Sequence, residues 1–106
     1  MKKFKIQIDP SALSDIQEIK RWYNSRQPML GLRFQDTAIN QINKLDKAPH
    51  SHAIRYNEIR CLPIKGFPYM IHFYIDEESN TSIVLAIIST DRNPKIWKNK
   101  TGNFQF

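Results

Sequence analysis

The sequence predicts an α+β domain of order β-α-α-β-β-β, a helical hairpin packed on one face of a mostly antiparallel sheet. Three observations carry that prediction. A short alternating segment is followed at once by two long stretches with helical spacing. The second half switches to period-two alternation. It closes on a run, Ile83 to Ile88, that is apolar on both faces and so calls for a central strand.

Lys3 to Ile8 alternates polar residues with Phe4, Ile6 and Ile8, the period of a half-buried strand. Asp9-Pro10 marks a helix start, because aspartate accepts from the free N–H groups of a first turn and proline there loses no bond. Ala12, Ile16, Ile19 and Tyr23, with Leu13 beside them, form one apolar face, and Asp15, Glu18, Lys20 and Arg21 fill the other side. This helix fades near Asn24 to Gln27, ahead of Pro28. The second helix runs from about Met29 to Lys47 on the stripe Leu30, Phe34, Ala38, Ile42 and Leu45, and Ala48-Pro49 stops it. So short a connection makes the two helices an antiparallel pair whose apolar faces need a sheet beneath them.

Ile54 to Tyr56 is a short strand or an extended approach, and Ile59 to Ile64 is a strand in which Pro63 demands an edge position or a bulge. Lys65-Gly66 forms the turn. Tyr69 to Ile75 then places Tyr69, Ile71, Phe73 and Ile75 on one face and Met70, His72 and Tyr74 on the other. Asp76 to Ser82 is a polar turn containing Asn80. The 106 residues make one domain, residues 1–106, with no repeat, linker or low-complexity tract.

Composition narrows the function classes. Sixteen Lys and Arg against ten Asp and Glu leave a formal charge of +6, which speaks for an anionic partner and not for a particular fold. Arg92, Lys95, Lys98 and Lys100 concentrate that charge near the C-terminus, without an acid among them and with Trp97 between them. No apolar run is long enough to cross a bilayer as a helix, and the basic N-terminus lacks a signal-peptide core, so the expectation is a cytoplasmic protein without a membrane partner. Cys61 is the one cysteine, which leaves neither an internal disulfide nor a cysteine-based zinc cluster.

The catalytic inventory is thin. His50 and His52 have a chelating spacing without an evident third ligand, there is no glycine-rich phosphate loop and no carboxylate pair, and nothing in the pattern calls for a cofactor. What remains is basic and aromatic groups on strands. If their faces coincide, Arg60, Lys65, His72 and Arg92 border a shallow basic concavity suited to RNA phosphates, with His72 as acid or base. The competing reading makes His72, between Met70 and Tyr74, a half-buried packing residue, and lets Arg60 snorkel from an edge.

Four stretches in order resemble the ParE/RelE superfamily of type II toxins, the plasmid stabilisation protein family. IDPSALSDIQEIKRWY (Ile8 to Tyr23) is similar to its opening strand and helix, and GLRFQDTAINQINKL (Gly31 to Leu45) to its second helix. IRCLPIKGFPYMIHFYID (Ile59 to Asp76) resembles its Arg-bearing strand, Phe-Pro-Tyr turn and next strand, and VLAIISTDRNPKIW (Val84 to Trp97) its closing strand, Arg-X-Pro and terminal aromatic. The resemblance implies a toxin held by a cognate antitoxin whose acidic segment wraps it. ParE-like members poison DNA gyrase, and RelE-like members cut mRNA on the ribosome. Carried over, it implies Arg60, Lys65, His72 and Arg92 as the catalytic set of a RelE-like nuclease, and Arg92, Lys95, Trp97 and Lys98 as partner contacts. The RelE-type strand arginine falls at or beside Met70, and Trp97 stands near the terminal tyrosine, which moves the expectation toward the ParE-like side. A ParE-like gyrase toxin, a RelE-like ribosome-dependent nuclease and a non-toxic partner-binding domain of the same fold are therefore the three readings.

Overall fold

The computed structural model of the chain describes residues 3–91 and 100–101. Strands β1 (Lys5–Ile8), β2 (Ile54–Tyr56), β3 (Ile59–Pro63), β4 (Tyr69–Asp76) and β5 (Thr81–Ser89) form one sheet in the order β1-β5-β4-β3-β2. Helices α1 (Pro10–Arg26) and α2 (Leu30–Asn43) lie between β1 and β2 in the chain. They carry it from one edge of the sheet to the other. β1 runs parallel to β5, with Lys5 opposite Thr81 and Ile8 opposite Val84, while the other neighbours pair antiparallel. The predicted α+β class and helical hairpin are observed, but the order is β-α-α-β-β-β-β, one strand more than predicted, because Ile54–Tyr56 pairs with β3 as a strand of its own.

Asp9 caps α1 by accepting from the Ser11 N–H at 3.0 Å, and Pro10 opens the helix. Its chain turns extended at Gln27, as a residue before proline must. α1 presses Ala12 and Ile16 onto the sheet, and α2 presses Phe34, Ala38 and Ile42, all five buried. They meet Ile71, Phe73 and Ile75 of β4 and Val84 and Ile87 of β5 in one core. Tyr23, Phe34, Phe67 and Tyr69 interlock at one end with ring centroids 5.2 to 6.3 Å apart, so the Phe-Pro-Tyr turn is folded under the helices.

α2 is shorter than its apolar spacing predicts. It tightens into a 3-10 turn at Lys44–Asp46, because the carbonyls there are taken by strands: Ser82 Oγ donates to Leu45 at 3.0 Å and the Phe4 N–H to Asp46 at 2.9 Å. Leu45 is buried all the same. Pro63 stands in β3 past the reach of β2, whose pairing extends only to Arg60, so no ladder bond is lost. β5 starts at Thr81, two residues before its apolar run, where pairing with β1 begins.

β5 is central only in part. Beyond Val84 there is no β1 residue beside it, and α1 covers the edge instead: the Asp9 N–H donates to the Val84 carbonyl at 2.9 Å, Ser11 Oγ to the Leu85 carbonyl at 3.0 Å, and the Ile87 N–H to Asp15 Oδ2 at 3.0 Å. Leu85 is an extra residue in the pairing, since His72 faces Ala86 and Phe73 faces Val84.

The helices approach closely where they join. Met29 takes a left-handed conformation (φ 72°), and the Gly31 N–H donates to Asn24 Oδ1 at 2.7 Å. A Cβ at position 31 would lie 2.1 Å from the Lys20 carbonyl oxygen, a backbone atom that cannot swing away. Gly31→Ala is therefore expected to destabilise the fold by about 3 kcal/mol through forced separation of the helices, read as a lower urea midpoint at unchanged slope.

Candidate functional site

The face of the sheet opposite the helices carries a buried polar cluster. In the pairing of β3 with β4, Cys61 stands opposite His72 and Arg60 opposite Phe73. Partners across a ladder project to the same side, so Cys61 and His72 share the face away from the helices while Arg60 shares the core side with Phe73. Tyr56 of β2 places its hydroxyl 2.8 Å from His72 Nδ1, and the Cys61 sulfur lies 3.5 Å from the same nitrogen. Thr101, near the C-terminus, brings its hydroxyl to 3.3 Å from that of Tyr56. His72 is fully buried and Thr101 nearly so.

Burial sets the protonation of this cluster. It pushes the His72 imidazole down to about 4, with Arg55 and Lys100 adding positive charge that opposes the proton further. It pushes the Tyr56 phenol up to about 12, against the hydrogen bond from Thr101 and with the nearby Cys61. The Cys61 thiol rises to about 11, against the pull of Arg55. All three groups are uncharged at neutral pH. An imidazole held in its neutral form is a poor proton donor, and a thiol this reluctant to ionise is no nucleophile. With Nδ1 as acceptor, Tyr56 donates to His72 and accepts from Thr101. What the cluster does is tie β2, β3, β4 and residue 101 together.

Of the four residues predicted to border one concavity, Arg60 and His72 lie on opposite faces of the sheet. Arg60 turns toward the loop that follows α2, and its Nη1 donates to the His52 carbonyl at 2.7 Å and the His50 carbonyl at 3.2 Å. Its surroundings are acidic, since Glu58, Tyr74, Asp76, Glu77 and Glu78 line the same hollow. A phosphate approaching Arg60 would meet four carboxylates. Lys65 is exposed in the turn between β3 and β4. His72 is in the back-face cluster described above. Arg92, Lys95, Trp97 and Lys98 lie outside the described residues. His50 and His52 go separate ways: His50 Nε2 pairs with Glu77 at 2.8 Å, and the His52 ring packs edge-on against Phe73.

Sequence reasoning missed Tyr56, Cys61 and Thr101 as neighbours of His72, and missed Asp15. The Asp15 carboxylate holds the Ile87 N–H with one oxygen and the Lys100 ammonium, at 2.8 Å, with the other. Its position on the polar side of an amphipathic helix gave no sign of either bond. Strand pairing was the one signal that would have joined Cys61 to His72.

Residues 6–94 match the family model of the ParE toxin of the type II toxin–antitoxin system parDE. No curated protein sequence matches the chain. Among solved structures, the chromosomal ParDE toxin–antitoxin system of P. aeruginosa superposes with a TM-score of 0.76 at 16% identity, covering 86% of this chain and 100% of that one. A doubly substituted E. coli toxin RelE in the free state gives 0.72 at 9% identity, covering 97% and 99%. The M. tuberculosis RelBE2 toxin–antitoxin complex gives 0.62 at 15% identity, covering 82% and 98%. At these identities the likeness is one of fold.

The His72 cluster makes stability depend on acid. Its folded pKa lies below the unfolded value of 6.5, so the unfolded chain takes up the proton first as pH falls. The contribution is complete above pH 6.5 and is lost between 6.5 and about 4, by roughly 3 kcal/mol in total. Denaturant unfolding at pH 7 and pH 4.5 should show that loss in the parent protein and a much flatter dependence in His72→Gln.

Proposed function

Because the chain belongs to the ParE toxin family of type II toxin–antitoxin systems, we propose that it is a growth-inhibiting toxin that acts by binding DNA gyrase, and that a cognate antitoxin neutralises it. The observation that carries the choice of target is the state of His72. It is buried and uncharged at neutral pH, clamped by Tyr56, and on the opposite face of the sheet from Arg60. Cleaving RNA by attack of a 2′-hydroxyl on the adjacent phosphate needs cations on the phosphate and a group that can pass a proton. Among the described residues the predicted set supplies neither in one place. A protein that acts by contact needs no such constellation.

The contact is assigned to the basic C-terminal stretch. Arg92, Lys95 and Lys98 with Trp97 combine charge with an aromatic anchor, the composition that dominates binding energy at protein interfaces. The acidic antitoxin segment that the family implies fits the same charge, so neutralisation follows from competition for one surface.

Purified protein added to a supercoiling assay should inhibit gyrase and accumulate cleaved DNA, and should leave mRNA on translating ribosomes uncut. Codon-positioned cuts without any effect on gyrase would replace this reading with the nuclease one, and neither effect at confirmed folding would leave a partner-binding domain. Arg92→Ala combined with Lys98→Ala is expected to weaken gyrase inhibition about tenfold or more, since both truncated side chains carry positive charge. His72→Gln should leave inhibition within about threefold of the parent at neutral pH, because the group it replaces is uncharged there.

A further inference from the structure

The chain carries a second concentration of positive charge, away from the C-terminal stretch. Lys20, Arg21, Arg26 and Arg33 follow one another with no acid anywhere between Glu18 and Asp36. The fold turns this stretch into the closed end of the helical hairpin, where α1 ends and α2 begins. None of the four cations makes an ion pair among the described residues, and Arg21, Arg26 and Arg33 are exposed.

Two large apolar side chains stand exposed among them, Trp22 by 50% and Met29 by 67%. Both are rigidly mounted. The Trp22 ring sits edge-on against Tyr23 at 5.0 Å, Tyr23 is locked in turn against Phe34 and Phe67, and Arg26 lies over the Trp22 ring at 4.8 Å. Met29 is held at φ 72° by bonds on either side: the Leu30 N–H donates to the Gln27 carbonyl at 3.2 Å, and the Arg33 N–H to the Met29 carbonyl at 3.1 Å. It occupies the N-cap of α2 without a side-chain bond to the helix. Glycine takes that conformation with less strain, and asparagine would cap the helix as well. Methionine here brings strain without a cap, and a mobile apolar side chain held out in water.

A fixed tryptophan with an arginine beside it is the composition of an interface hot spot, and the acid-free charge around it calls for an acidic partner. That partner is a protein and not a nucleic acid, because Arg26 occupies a ring face on which a base would stack and Met29 has no ring to offer. Position says which protein. The Thr90 N–H donates to the Pro68 carbonyl at 2.9 Å, and Phe67 packs on Tyr23 at 5.2 Å, so β5 ends on the same side of the molecule as the hairpin. The basic stretch already assigned to the gyrase contact starts there, two residues after Thr90, at Arg92. We infer that the closed end of the helical hairpin is a second part of the gyrase contact, with Trp22 and Met29 as apolar anchors and Arg26 and Arg33 as flanking cations, seated on an acidic surface of that enzyme around an apolar recess. The inference rests on the reading of the chain as a gyrase-binding toxin.

The test compares full-length variants with the parent in gyrase binding and supercoiling inhibition, with the urea midpoint as the check on folding. Trp22→Ala and Met29→Gly should each weaken binding and inhibition about tenfold. Met29→Gly relieves the left-handed strain, so its midpoint should equal or exceed the parent's while its binding falls, a combination that damaged folding does not produce. Arg26→Gln combined with Arg33→Gln should weaken binding about tenfold and flatten its dependence on salt. Lys47→Gln, which removes an exposed cation past the far end of α2, should stay within about twofold of the parent. Folded Trp22→Ala and Met29→Gly proteins that bind gyrase as the parent does overturn the inference. So does a tenfold loss in Lys47→Gln, which would make net charge the cause. Lost antitoxin binding with gyrase inhibition unchanged gives the hairpin end to the antitoxin and overturns it too. A parent protein that leaves gyrase untouched removes the gyrase reading and this inference together, whereas an inhibitory parent with unimpaired variants removes this inference alone.

Discussion

Everything in this molecule is arranged around the outer edge of β5. The strand is apolar on both faces, so it must be buried, and a buried strand cannot leave its N–H and C=O groups unmet. β4 satisfies one side along the whole length. On the other side β1 covers only Thr81 to Val84, and the remainder falls to side chains of α1: the Ser11 hydroxyl on the Leu85 carbonyl and the Asp15 carboxylate on the Ile87 N–H. α1 thus works as a helix against the core and as a substitute strand along the edge. That double duty fixes its position to within a hydrogen bond, and α2 is held to it through Gly31 and Asn24.

The same edge explains how distant parts of the chain are joined. Asp15 has one oxygen on the sheet and the other on Lys100, so Lys100 is anchored to the element that closes β5. Thr101 next to it reaches across to Tyr56, and through Tyr56 to His72 and Cys61. One short C-terminal contact therefore bridges the first helix and the far edge of the sheet, β2. The back-face cluster is the inner end of that bridge, and its uncharged state fits a role in holding strands together.

Much of the fold was legible because the signals were local. Asp9-Pro10 starts a helix by chemistry that acts within one turn, the stripe Phe34, Ala38, Ile42 needs only the helical period, and Tyr69 to Ile75 needs only alternation. The site was less legible because it depends on how strands are set against each other. Alternation says that Arg60 and Leu62 share a face, and that Met70 and His72 share a face, but not whether the two faces are the same one. The pairing of Arg60 with Phe73 answers that, and a shift of one residue would have reversed it. The extra residue at Leu85 was hidden for a related reason: a run that is apolar on both faces has no alternation to interrupt. Asp15 was read as part of a solvated helix face, which is what an isolated amphipathic pattern shows.

The parallel pairing of β1 with β5 joins the two ends of the described strand order. Among the described strands no other pairing closes so long a loop, and this one is unattainable until β5 itself has been synthesised. While it emerges from the ribosome, the chain can form its helical hairpin and then the β3–β4 ladder, but β1 has no neighbour and the Asp15 carboxylate has no edge to hold. Completion of this fold is thereby tied to the synthesis of β5, and a polypeptide interrupted before Thr81 lacks the strand against which β1, β4 and α1 are positioned.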